Sequence, residues 1–403
     1  MMAGPLLLMA SWLLRPATSF TLFQTPYCRY TISGSCSCSR ISRSSRRSKS
    51  RLFSSVAVQN GISRLAAFQS LLATHGAPGS LGCHEPNDLV PLTMAEEPEL
   101  LLALESSMTA NLHPHLFPVA KSTKTGHYIC GLRRASDTSS EGPWPIVESA
   151  PGARGMRLLA LHSEHLMRRM AAENDVEGGN LDVVKTYNAQ LGQGIVKDPL
   201  FDIPYTLGSV AKLGYGPEKY ILLKVGPFPD LYESMALSHA AKGDEASSLI
   251  AAEASNGKFS GFGSTFRFYA RLLNSFPNRD DETRDAARIC WRLPLPSMGM
   301  TDDDFRDVAI LGKIATVNDS MEKVLENMQT YYEKLRQHEQ DDPGSSGGKT
   351  PEQSSIEEAN YLLDTVALKS SCNWSDIRPK LGEIYASAGR EDMATFVDPT
   401  RVV

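Results

Sequence analysis

From Pro229 to about Arg336, apolar residues recur at the spacing of amphipathic helices, and the same residue classes return at a fixed interval. Two copies of an aromatic, large, small, large pattern lie 34 residues apart: Tyr232, Met235, Ala236 and His239, then Phe266, Tyr269, Ala270 and Leu273. A third copy follows after 39 residues if the turn near Asn278 carries a five-residue insertion. The pattern predicts three successive antiparallel helix pairs; a helical bundle without repeats is the alternative.

The segment before these helices has a different pattern. His127–Leu132, Pro145–Val147 and Met156–His162 are short, β-compatible and separated by Gly, Pro and Ser, which predicts strands followed by a helix from Ser163. We therefore expect a small α+β module over residues 90–205 and a helical domain over 206–336. Residues 56–89 are predicted to be a linker or a peripheral helix. Lys212–Val225 is rich in apolar residues and is expected to be buried between the two modules.

Two further segments complete the predicted order. Residues 337–355 are acidic, carry Pro and Gly, and have almost no apolar residues, so a flexible acidic linker is predicted there. Residues 356–403 are predicted to form a C-terminal helical pair that Trp374 holds together. At the head of the first repeat, Asp230 and Glu233 are expected to act as a helix-capping pair.

Leu381-Gly382-x-x-Tyr385, with Gly389 in a turn and Ala394 beyond it, resembles the core of the 34-residue tetratricopeptide repeat. In that repeat, small residues let two antiparallel helices approach closely. The resemblance implies a mostly α fold, in which a small N-terminal α+β module precedes a tetratricopeptide-like helical repeat domain. The whole chain also resembles a plastid protein family of plants and algae, which implies a plastid protein.

The first 55 residues have the composition of a targeting leader. Pro5–Leu14 is a short apolar run, and Ala17-Thr18-Ser19 offers a small-residue cleavage site, so residues 1–19 are predicted to be a signal peptide. Residues 20–55 are rich in Ser and Arg without an acidic residue, which is typical of a plastid transit peptide. The leader resembles the bipartite leaders of algae with complex plastids. A secretory signal with a basic pro-segment is the alternative.

Charge and cysteine content narrow the possible partners and compartments. Eight of the 41 basic residues and none of the 46 acidic ones lie in Met1–Arg51, so the remainder carries 33 basic against 46 acidic residues, a balance of −13. This charge disfavours nucleic acid. Four scattered cysteines remain after the leader, which fits a reducing stroma; peripheral association with the thylakoid is an alternative. After the leader, the sequence has no run of eighteen consecutive apolar residues, so no membrane span is predicted.

Candidate chemistry is sparse. His162-Ser163-Glu164-His165 lacks the spacing of a zinc-binding helix, and Pro343–Thr350 departs from the spacing of a phosphate-binding loop. No catalytic residue, metal, cofactor or small-molecule substrate is therefore predicted. The alternative is an enzyme whose site in the α+β module uses His127, His162 and His165.

The favoured function is a scaffold that binds a protein in the plastid, as an assembly or stability factor for a photosynthetic or other plastid complex. Its partner-binding residues are predicted to lie on the first helices of the pairs: Tyr232, His239, Arg267, Arg271 and Arg306. Arginines interleaved with aromatic residues leave an RNA-binding helical repeat as a further alternative.

Overall fold

A computed structural model describes residues 65–72, 89–92, 110–135, 144–176, 181–191, 203–341 and 349–401. The predicted signal and transit peptides lie outside these ranges, and so does Cys83. The described residues all fall within one compact unit. The described chain is mostly α-helical with one small antiparallel sheet near its N-terminal side, which confirms the predicted mostly α class with an α+β module.

The sheet is a five-stranded meander in which each strand pairs antiparallel with the next along the chain. Its strands are β1 (Leu89–Pro91), β2 (Leu116–Ser122), β3 (Tyr128–Leu132), β4 (Ile146–Ser149) and β5 (Arg157–Ala160). The last three coincide with the predicted strands within about two residues. β1 and β2 were not predicted; β2 contains Pro118, next to which the β2–β3 register shifts.

Both faces of the sheet are covered. Ile129 of β3 packs into a core formed with helix 65–72 (α1) and the helix that follows β5. Its neighbours Tyr128 and Cys130 point to the opposite face, where Phe259 and Phe262 from the helical part cover them. This alternation is the period of two of a strand buried on both sides. The sheet therefore lies between α1 and the helix after β5 on one face and the segment that carries Phe259 and Phe262 on the other.

Fourteen helices, counted over the described residues with α1, follow the sheet or flank it. After α1 they are α2 (Ser163–Val176), α3 (Leu181–Leu191), α4 (Ser209–Leu213), α5 (Pro217–Lys224), α6 (Pro229–Ala241), α7 (Glu245–Lys258), α8 (Gly263–Asn274), α9 (Asp280–Ile289), α10 (Asp302–Leu311), α11 (Met321–Asp341), α12 (Pro351–Ala367), α13 (Arg378–Ser387) and α14 (Glu391–Val397). Helices α6 to α11 lie where the repeat pattern predicted helices. Local signals set several of their ends: Gly243 turns the chain with φ of 75°, and Asp244 accepts the Ser247 N–H at the start of α7.

The predicted capping pair at α6 is wrong. The helix begins at Pro229 without a side-chain cap, and the Asp230 carboxylate instead accepts two hydrogen bonds from Arg169 of α2, at 2.9 and 2.7 Å. Glu233 is engaged further along the helix, facing Arg267. Proline at the first helical position supplies a favourable start without a cap, which leaves Asp230 available for the tertiary ion pair.

Both ends of the predicted linker, residues 337–355, lie in helices. Residues 337–341 continue α11, and residues 351–355 belong to α12, whose first turn is closed by a reciprocal capping box between Thr350 and Gln353. Residues 342–348 lie outside the described ranges.

At the C-terminus, α13 and α14 form an antiparallel pair that turns at Gly389, with φ of 73°. A Cβ at Gly382 would stand 3.1 Å from Cβ of Asp398 and 3.5 Å from the Ala394 carbonyl oxygen, so a small residue is needed there. Trp374 is fully buried, and its indole N–H donates to the Ala153 carbonyl at 2.8 Å. The sequence predicted one helical pair over residues 356–403 with Trp374 between its members, whereas the structure has three helices there, α12, α13 and α14. Trp374 lies between α12 and α13 and attaches them to the loop before β5.

Candidate protein interface

A seam of ion pairs joins α8 and α10, two of the first helices of the predicted repeats. Arg267 of α8 forms an ion pair with Asp304 at the start of α10, and Arg271 Nε lies 3.4 Å from Asp307 Oδ2. Glu233 of α6 faces the same arginines, and burial raises its pKa to about 7, although Arg267 and Arg271 oppose that shift. The ion pairs therefore tie α8 to α10, whereas the Glu233 carboxyl group of α6 is partly protonated near neutral pH.

This arrangement changes what two of the predicted binding residues can do. The Arg267 side chain is only 17% exposed, and burial lowers its pKa. Arg271 is 61% exposed, so it reaches solvent while contacting Asp307. A partner can reach Arg271 directly, whereas Arg267 acts mainly within the chain.

The other predicted residues lie apart from the seam. Tyr232 packs edge-on against Phe259, with ring centroids 6.2 Å apart. His239 Nδ1 lies 3.4 Å from Asp244 at the α6–α7 turn, and its side chain is 35% exposed. Arg306 donates to the Asp319 carbonyl at 2.8 Å, which fixes the α10–α11 connection. The structure thus brings Arg267 and Arg271 together and places the remaining three at separate points of the helical part.

Exposed apolar side chains reveal surfaces that the sequence patterns did not. Ile203, Leu207, Tyr215 and Leu223 lie around α4 and α5, and each is 48% to 65% exposed. Within the predicted buried bridge, Tyr220, Ile221 and Val225 are buried, but Tyr215 and Leu223 are not. The expectation for Lys212–Val225 was therefore only partly right, because helices of five and eight residues cannot turn every apolar position inward.

A second exposed apolar pair lies on the α6–α7 hairpin. Leu237 is 54% exposed and Ile250 is 66% exposed. Leu237 lies in the second half of α6 and Ile250 in the middle of α7, so each helix of the hairpin carries an exposed apolar side chain.

The histidines of the alternative enzymatic site are engaged in structural contacts. His127 Nδ1 lies 2.8 Å from Oε1 of the buried Glu148, which also pairs with Arg157. The rings of His162 and His165 stack with centroids 4.5 Å apart. Ser163, at which the sequence predicted the helix to start, is the first residue of α2, and its hydroxyl donates to Glu164. Within the described ranges, no group of three or more His, Cys, Asp or Glu side chains is placed to hold a metal ion.

The described thiols are poor nucleophiles. Cys130, Cys290 and Cys372 are free of disulfide bonds. Burial raises the pKa of all three, to about 12 for Cys290 and Cys372, so each is a neutral thiol near neutral pH. No helix in the described part of the chain has both the length and the apolar content needed to cross a bilayer.

Parts of the chain match known domain models, and most of it aligns with a known plastid protein. Residues 229–315 match the model of the PAB middle domain, and residues 328–400 match the model of the PAB C-terminal domain. The chain is also 27% identical over 291 residues to the Arabidopsis thaliana protein named Protein IN CHLOROPLAST ATPASE BIOGENESIS, chloroplastic. That alignment covers 71% of this chain and 78% of the relative. No solved structure shows a significant match.

The first domain match covers α6 to α10, and the second runs from within α11 to the end of α14. The seam of ion pairs lies wholly inside the first. The tetratricopeptide resemblance stays a prediction, because the matched models carry other names. The chain thus resembles a plastid protein family, and its helical part is similar to the PAB middle and PAB C-terminal domains.

Proposed function

We propose that this protein is a plastid assembly factor that takes part in the biogenesis of the chloroplast ATPase by binding one of its protein components. The observation that carries the proposal is the similarity to the Arabidopsis protein, whose name places it in the chloroplast and in chloroplast ATPase biogenesis. The alignment spans most of both chains, so it includes more than one helical segment. The leader composition of residues 1–55 supports the same compartment, and the scattered cysteines fit a reducing stroma.

The geometry supports binding rather than chemistry. The α6–α7 hairpin and α8 present Leu237, His239, Ile250 and Arg271 in exposed or half-exposed positions, and the ion pairs of Arg267 and Arg271 hold α8 against α10. Prearranged helices with exposed apolar and charged groups are the usual means of holding a protein segment, because little conformational entropy is lost on binding. Of the residues predicted from the sequence, His239 and Arg271 are the best placed to contact a partner. Tyr232, Arg267 and Arg306 make contacts within the chain.

The test is affinity purification of the tagged full-length protein from plastids after brief chemical crosslinking, followed by mass spectrometry. We expect polypeptides of the chloroplast ATPase to be enriched over those of other plastid complexes. Arg271→Glu combined with His239→Glu should reduce this enrichment at least about threefold. As a control, Lys185→Glu on α3 reverses another exposed charge, at a side chain that is 72% exposed. The proposal fails if ATPase polypeptides are recovered no more than those of unrelated complexes.

A further inference from the structure

The exposed apolar residues of the described chain are concentrated on one short stretch. Ten large hydrophobic side chains are substantially exposed, and four of them fall between residues 203 and 223. They are Ile203 at 62%, Leu207 at 48%, Tyr215 at 64% and Leu223 at 65%. Single exposed apolar residues need no explanation, whereas a cluster of this kind marks an interaction surface. We call residues 203–224, which include helices α4 and α5, the α4–α5 surface.

A pocket of about 590 Å³ opens on this surface. Ile203, Leu213 and Tyr220 provide its apolar wall, and Leu223 lies one helical turn from Tyr220 on α5. Its charged lining residues are Arg168, Lys212 and Lys224, and no carboxylate stands among the lining residues described. The pocket is large enough for apolar side chains, and its charged rim is wholly positive.

The surface is held in place by hydrogen bonds from the helices beneath it. Arg168 donates to the Ile203 carbonyl at 2.9 Å. The Asn188 side chain bonds both the N–H and the carbonyl of Tyr205, at 2.8 and 3.0 Å. Asp175 accepts from the Tyr205 hydroxyl at 2.9 Å and from the Gly208 N–H at 2.8 Å. An apolar surface fixed in this way loses little conformational entropy when a partner binds.

The charges select the partner. Lys212 and Lys224 are exposed, and neither takes part in an ion pair with the other residues that the structure describes. With Lys219 they outnumber Glu218, the one exposed carboxylate among residues 203–224, so this surface is locally positive on a body whose balance after residue 51 is −13. The apolar cluster extends past the pocket to Leu207, Tyr215 and Leu223, which is wider than a small anion would cover. An amphipathic helix with acidic flanks matches both the extent and the charge.

We propose that the α4–α5 surface binds an acidic amphipathic helix of the partner protein, with apolar side chains in the pocket and carboxylates beside Lys212 and Lys224. This proposal rests on the proposed function for the existence of a protein partner. It adds a site that lies before the PAB middle domain and that none of the predicted binding residues touches.

The direct test uses the protein without its leader and a fluorescent peptide of about 18 residues, with leucine at every third or fourth position and glutamate at most others. A second peptide carries lysine in place of glutamate. By fluorescence anisotropy, the glutamate peptide should bind, and the lysine peptide should bind at least about tenfold more weakly. Lys212→Glu with Lys224→Glu, or Leu223→Asp alone, should weaken the glutamate peptide at least about tenfold. Circular dichroism verifies that these surface variants fold.

A matched control places the same kinds of change elsewhere on the helical part. Val317 is 74% exposed, comparable to Leu223 at 65%, and Lys380 is exposed on α13. Val317→Asp with Lys380→Glu should change peptide binding less than about twofold. Equal binding to wild type and to the Lys212→Glu, Lys224→Glu variant would overturn the proposal, and so would failure of the glutamate peptide to bind wild type.

Other occupants give different results. Retention on phosphatidylglycerol vesicles without peptide binding would overturn the proposal in favour of a lipid surface. A concentration-dependent dimer that Leu223→Asp dissociates would overturn it in favour of a second copy of this chain. In a strain lacking this protein, a defect that wild type repairs and the Lys212→Glu, Lys224→Glu variant repairs equally well would refute the site and leave the proposed function standing. Peptide binding with no ATPase defect in that strain would refute the function and leave the site.

Discussion

Gly155 lies where the loop before β5 meets the loop before α10, and it tests how tightly the sheet and the helical part are joined. A Cβ at this position would stand 1.9 Å from the carbonyl oxygen of Pro296 and 2.6 Å from that of Gly299. Real Cβ atoms essentially never approach another atom within 3.0 Å, so Gly155→Ala must move one backbone by more than about 1 Å.

The displacement also disturbs the hydrogen bonds that join the two loops. The Met156 N–H donates to the Pro296 carbonyl at 2.8 Å, and the Arg154 N–H donates to the Met300 carbonyl at 3.3 Å. Overpacking of this kind costs about 1–3 kcal/mol, and weakening one hydrogen bond adds about 1 kcal/mol. We therefore expect Gly155→Ala to lower the free energy of unfolding by about 2–4 kcal/mol.

The assay is urea denaturation followed by circular dichroism and by tryptophan fluorescence. Gly257→Ala is the matched control: Gly257 lies in the last turn of α7, and a Cβ there meets nothing within 4 Å. That variant should be neutral or more stable by up to about 1 kcal/mol, because alanine favours the helix over glycine. A free energy of unfolding for Gly155→Ala within about 0.5 kcal/mol of wild type would refute this account of the junction.

Two further predictions concern buried polar groups. Burial raises the pKa of Asp364 to about 7 from an ordinary value near 4. Between these pH values the folded chain therefore binds more protons than the unfolded chain. The free energy of unfolding then falls as pH rises, by at most about 1.4 kcal/mol per pH unit. Asp364→Asn, which has no proton to lose beside Tyr332, should remove that part of the slope in urea denaturation between pH 5 and pH 8; equal slopes in both proteins would contradict it. The Tyr385 hydroxyl of α13 and the ring Nε2 of His115, the residue before β2, share a buried hydrogen bond of 2.8 Å. Tyr385→Phe should therefore lower the free energy of unfolding by about 1–3 kcal/mol in the same assay. The exposed Tyr215→Phe should change it by less than about 0.5 kcal/mol, and similar values for both would argue against the role of the Tyr385 hydroxyl.

The helical part was accessible from sequence because its signals are local. Apolar spacing, the turn glycines and the prolines locate α6 to α11, and Gly382 and Gly389 mark the last pair. β3 to β5 were equally visible as short segments between breakers. β2 was not, because a strand with a proline and a register shift lacks clear alternation.

The candidate interface was less accessible, because its contacts join residues far apart in the chain. Asp230 pairs with Arg169, 61 residues away, so a residue that looks like a helix cap serves a tertiary contact. Arg267 lies near carboxyl groups of α6 and α10, and only the folded structure shows that its charge is paired within the chain. The exposure of Tyr215 and Leu223 depends on how two short helices dock, which periodicity does not specify.

The amount of assembled chloroplast ATPase in a strain that lacks this protein is the most direct test of the proposed role in ATPase assembly. Native gel electrophoresis with immunodetection would compare the ATPase with other plastid complexes, before and after wild-type complementation. We expect a selective loss of the assembled ATPase, and we expect complementation to restore it. An unchanged amount of assembled ATPase in the strain without the protein would contradict the proposed role in ATPase assembly.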